Sequence, residues 1–142
     1  MASFPRLLPL LAAACLAACE PAPPRETLDA HALRVQLRQL ASVAAEAALL
    51  THELEAGHLN PAFAWVHQQG LSDAARQAAT GLAQPADPPL QATRHDALFL
   101  AADLQADVGR VADHRHDAAD LQALRRQFEA VGERARALEP LP

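Results

Sequence analysis

The 142-residue sequence contains no lysine, tyrosine or isoleucine, and it has one tryptophan, one methionine, four phenylalanines, two cysteines and five glycines. Each shortage excludes something. With only six valines and four threonines besides, β-branched and aromatic side chains are too few for a β-rich fold. The glycines stand apart at Gly57, Gly70, Gly81, Gly109 and Gly132, so no glycine-rich loop is available to cradle a phosphate, and nucleotide-dependent chemistry is not expected. A covalently attached haem requires a Cys-x-x-Cys-His run, which is missing. Past the first nineteen residues there is no cysteine, and the only serines are Ser42 and Ser72, neither in a motif that pairs a hydroxyl with a base. Covalent catalysis therefore has little to work with, and a non-enzymatic protein is expected.

What the chain has instead is alanine. There are 35, which explains a hydrophobic fraction of 51% beside an aromatic fraction of 4%. The expectation is one all-α domain, since at this length folding buries roughly two-thirds of the unfolded surface and an apolar core suffices without metals or disulfides.

The first residues read as an address. One positive charge, Arg6, precedes a short apolar run over residues 7–16, which is about half the length a membrane-spanning helix needs and is followed by Glu20 and a proline cluster. The run ends in Leu16-Ala17-Ala18-Cys19, which resembles the lipobox of bacterial lipoproteins. Cys15, preceded by three alanines and no leucine, matches that pattern less well. The resemblance covers the signal only. It implies cleavage before Cys19, a signal peptide over 1–18, and acyl chains on Cys19 as the membrane anchor. The mature chain then has no thiol left for a disulfide. Residues 19–26, with Pro21, Pro23 and Pro24, become a tether that stands a helical domain, residues 27–142, off the bilayer. The implied location is the cell envelope, facing the periplasm. Glu20 is not the aspartate associated with inner-membrane retention, so the outer membrane is preferred.

Four amphipathic segments follow the tether. The first runs from about Thr27 to Gly57, with Thr27 as cap, Asp29 in the first turn, and Leu33, Leu37, Leu40, Ala44, Ala47 and Leu54 as its apolar stripe. Asn60-Pro61 restarts the chain as cap and first helical residue, and Phe63, Val66, Gly70, Ala74 and Ala78 lead toward Leu82, with close packing expected at Gly70. Residues 84–89 hold three prolines and read as a loop. Leu90, Ala97, Ala101, Leu104, Val108 and Val111 form the third stripe. Asp117 caps a fourth helix with Leu121, Leu124, Phe128, Val131, Ala135 and Leu138 inward, ended by Pro140. Short links between them predict an up-down-up-down four-helix bundle with alanine-rich seams.

The formal charge is −5, one unit more negative once Arg6 leaves with the signal. Nucleic acid is not an expected partner, and the Arg34/Arg38 and Arg125/Arg126 pairs read as solvated helix faces. Asp96, Asp103, Asp107 and Asp113 put several carboxylates along the third helix. The seven histidines offer a second function class. In the expected topology His52, His58 and His67 flank the first turn, and His114 and His116 flank the third, at the end away from the lipid. Imidazoles there, with Glu53, Glu55, Asp113 or Asp117, would suit a divalent transition metal such as zinc, copper or nickel. A ferritin-like di-metal site is rejected, because Glu55-x-x-His58 occurs once and Asp113-x-x-His116 imitates it poorly. The leading reading is an envelope lipoprotein whose helical surface binds a protein partner or supports an assembly, with no resident cofactor. Trp65 and Phe63, near the distal turn, are candidates for its contact surface, although a stripe aromatic reads first as core.

Mass spectrometry of the mature N-terminus checks the anchor. A diacylated or triacylated Cys19 is expected; Cys19→Ser should leave an uncleaved or soluble product, and Cys15→Ser should change little.

Overall fold

The computed structural model describes residues 27–139. The expected signal, Cys19 and its tether, and the helix-ending Pro140, lie outside the described residues. Those described form four α-helices, α1 (Ala30–Glu55), α2 (Pro61–Leu82), α3 (Gln91–His114) and α4 (Ala118–Ala137), and no strand. A single 3-10 turn, Pro88–Leu90, occupies part of the proline segment expected to be plain loop. The all-α expectation holds.

Local chemistry fixes the helix ends. Asp29, in extended backbone, caps α1 by accepting from the Ala32 N–H at 2.7 Å. It takes the role expected of Thr27, because the residue between them is committed elsewhere. Leu28 donates its N–H to the Pro85 carbonyl at 2.7 Å and accepts from the Asp87 N–H at 3.3 Å, which pins the chain before α1 to the α2–α3 loop. Gly57, with φ of +71°, turns the chain out of α1, a conformation that needs no side chain. Asn60 caps α2 over Pro61, and Asp117 caps α4 by accepting from the N–H groups of Ala119 and Asp120. Arg94 on α3 reaches back to the Leu82 carbonyl at 2.8 Å and so satisfies the C-terminus of α2.

The core runs along the inner faces of all four helices. Helices α1 and α4 make the most extensive contact, α1 also packs on α2, α2 on α3 and α3 on α4, and α1 meets α3 across the interior. The expected stripes of α1, α3 and α4 are buried nearly residue for residue, with Leu54, Leu90 and Leu138 packed at the margins. Small side chains set the spacing: a Cβ added to Gly132 of α4 would lie 3.7 Å from Ala44 and 3.8 Å from the Ala41 carbonyl. Where α1 meets the end of α2, Gln36 lies so close over Gly81 that any Cβ there would collide with its amide.

Helix α2 corrects the sequence expectation. It is continuous through Gly70, but its buried residues are Ala64, Gln68, Leu71, Ala75, Ala78 and Leu82. Phe63 and Val66 of the expected stripe are exposed, and so is Trp65. The reason is geometric. At about 100° per residue, a step of four overshoots one turn by about 40°, so the expected series, four steps of four after Val66, walks about 160° round the helix. The observed series alternates steps of four and three and stays on one face. At Gly70 no atom lies within 4 Å of where a Cβ would stand, so the expected close packing there is absent.

Leu104 and Phe128 are fully buried. Truncation to alanine should destabilise by about 2–5 kcal/mol at each, whereas Val66→Ser should change stability by less than about 0.5 kcal/mol. Denaturant melts of the three variants check both the core and the orientation of α2.

Candidate docking surface

The first six residues of α2, Pro61 to Val66, are all apolar, and only Ala64 among them is buried. Phe63, Trp65 and Val66 are 59%, 57% and 62% exposed. No Asp, Glu or Arg occurs between His58 and Asp73. An uncharged helix half with three large apolar side chains in water is unusual for a surface that meets solvent alone.

The orientation is held from the other side by Gln68, which is 5% exposed. Its amide donates to the Val108 carbonyl at 2.8 Å and the Gly109 carbonyl at 3.1 Å, both on α3. A buried amide that lost these partners would carry a desolvation penalty of about 1–3 kcal/mol, so rotating α2 to hide Phe63 and Val66 is opposed.

Two flanks of α2 differ. Toward α3, Trp65 lies at a narrow crevice with Leu54, Pro61, Gln68, Val111 and Arg115. Toward α1, an open groove of about 260 Å³ is lined by Val43 and Glu46 of α1 and by Phe63, Val66, His67 and Gly70 of α2, with Leu71 and Ala74 beneath. The His67 ring stacks on Phe63, with centroids 6.0 Å apart and planes inclined by 8°. Gly70 leaves the floor of this groove open.

The five histidines considered for a metal do not gather. Near the end of α1, His52 Nδ1 lies 3.0 Å from Arg125 Nη1 of α4, and Arg125 also pairs with Glu55 at 3.4 Å. Each remaining imidazole has a different neighbour, however: His58 has Glu53 at 3.1 Å, His114 has Asp120 at 2.7 Å, His116 accepts from Arg115 at 3.1 Å, and His67 faces Phe63. Among the described residues no group of three or more His, Cys, Asp and Glu side chains is placed to hold a metal ion. The acidic face of α3 borders another groove, of about 350 Å³, lined by Asp103, Asp107, Gln127 and Arg134. There burial pushes the Asp107 carboxyl above its ordinary value against the pull of Arg110, which sits 2.9 Å away, and Asp103 adds to the rise.

No described helix is long and apolar enough to cross a membrane. Comparison with protein-family models, curated proteins and solved structures finds no match to this chain.

The exposed stripe of α2 was legible as apolar, and what periodicity missed was which way it faces. The signal was present in the alternating steps from Ala64 to Leu82.

A raised folded-state pKa means that the native fold favours the protonated Asp107. Stability from this group is therefore present at acid pH and lost as pH rises through the raised value. Asp107→Asn should accordingly raise the melting temperature at pH 7, with the advantage vanishing below about pH 3, where aspartate is protonated in both states. Thermal melts across that range check it.

Proposed function

We propose that this chain is a lipid-anchored, non-enzymatic interaction module of the bacterial cell envelope, held to a membrane through Cys19 and binding a protein partner through the exposed half of α2. The anchor rests on the lipobox-like Leu16-Ala17-Ala18-Cys19 and the prolines behind it. The interaction reading rests on one observation above all: Phe63, Val66 and Gly70 form an apolar stripe in water while a polar Gln68 occupies the core. An exposed interior glycine costs a helix about 0.8–1 kcal/mol relative to alanine, so an open Gly70 fits a surface shaped for something that settles on it.

The up-down-up-down order belongs to the same reading. Its support lies in pairs that link opposite ends of neighbouring helices: Arg38 with Glu139, His52 with Arg125, Arg94 with Leu82, and Gln68 with Val108. In that order the α1–α2 turn, and with it Phe63 and Val66, lies at the end away from the N-terminal tether, facing the periplasm on the lipoprotein reading. The preferred membrane is the outer one.

Site-specific photo-crosslinking in cells tests the module. A crosslinking residue in place of Val66 should give discrete protein adducts, and the same residue at the exposed Gln122 of α4 should give none. Equal labelling at both positions, or none at Val66, contradicts the proposal.

A further inference from the structure

We infer that the groove between α1 and α2 seats one amphipathic helix of a partner, presenting aliphatic side chains to Phe63, Val66 and Gly70 and a basic edge to Glu46; this rests on the docking role of α2 proposed above. The described fold has no strand edge to extend, so an added segment meets only side-chain grooves, the arrangement in which helices dock by apolar residues three and four apart. From Phe63 to Ala74 the stripe runs about 16 Å, which matches roughly three turns of a partner helix. At about 260 Å³ the groove is smaller than the roughly 300–1,000 Å³ of small-molecule pockets, and it is open along its length.

Charge selects among occupants. Glu46 is the one charged side chain lining the groove, and it accepts from Ser42 at 3.4 Å rather than facing an arginine. The nearest arginine along α2, Arg76, is paired with Asp73. A second copy would bring another Glu46 and another net −5 to the same place, and an anionic lipid surface would be repelled likewise. A basic helix meets the opposite condition.

The test is fluorescence anisotropy of labelled synthetic helices with the purified chain. One probe has leucine on one face and lysine on the other, and a second has glutamate in place of lysine. The leucine–lysine helix should bind, and Gly70→Leu, which fills the groove floor where a side chain has room, should weaken it by roughly tenfold or more. Glu46→Arg should weaken it similarly, while Phe99→Glu, on the outer face of α3, should leave it unchanged. Circular dichroism confirms that each variant stays helical. Binding indifferent to Gly70→Leu and Glu46→Arg is non-specific attraction of a cation to an acidic protein and overturns the inference. Tighter binding of the leucine–glutamate helix, self-association in sedimentation, or capture by phosphatidylglycerol vesicles also overturns it. If any of those is abolished by Gly70→Leu, the docking role of α2 survives with a different occupant. If no probe, copy or vesicle responds to Gly70→Leu, the docking role falls as well.

Discussion

A helix in a bundle buries little more than a 100° sector of its circumference, and α2 has apolar residues over more than that. One stripe had to stay in water. The inner series from Ala64 to Leu82 extends the whole length of the helix, and its alanines allow α1 and α3 to come close, with Leu71 and Leu82 filling the gaps between them. The outer series is stronger per residue, through Phe63 and Val66, but it fades into Gly70 and Ala74 within three turns. Length and small size win over bulk, and the Gln68 amide on two α3 carbonyls makes the choice costly to reverse. The proposed interaction surface follows from that orientation.

The same preference for small residues organises the rest of the interior. Ala41 and Ala44 against Gly132 bring α1 and α4 into close contact, and Ala97 and Ala101 are fully buried on α3. Close backbones leave narrow spaces, in which leucines and, among the described residues, one phenylalanine, Phe128, are buried. Aromatic residues that do not fit such spaces are found outside: Phe63, Trp65 and Phe99 are all exposed, and Phe99 meets the edge of His95 with centroids 4.7 Å apart. An alanine-rich core thus leaves little room for large rings.

The helices and their stops were readable in the residue order because their causes are local. Gly57, Asn60-Pro61 and Asp117 each act within a few residues, and the stripes of α1, α3 and α4 repeat often enough to define a face. What escaped depended on distance in the chain. Asp29, expected inside the first turn, caps α1 in place of Thr27 because Leu28 between them is held by backbone partners near residue 86. The inward face of α2 was decided by carbonyls forty residues away on α3. The histidines share this logic: His58, His114 and His116 each meet a nearby carboxylate or arginine, His52 meets Arg125 and His67 stacks on Phe63, neighbours that spacing alone does not reveal.

The clamp on Leu28 also connects the anchor to the docking surface. Its two backbone bonds to the α2–α3 loop fix the chain just before the start of α1. The groove begins near the middle of α1, beside Val43 and Glu46, and follows the first turns of α2. At about 1.5 Å per residue, α1 with its 26 residues spans roughly 39 Å. A flexible tether alone would let every face of a small domain sweep the bilayer, including an apolar one that lipid could cover. On the lipid-anchored reading and in the up-down order proposed above, attachment before α1 favours holding Phe63 and Val66 away from the headgroups and available to a protein, and Glu46 at the groove opposes contact with anionic lipid. On that reading the position of the proposed anchor and the charge of the surface act in the same direction, each favouring a partner that arrives from the aqueous compartment.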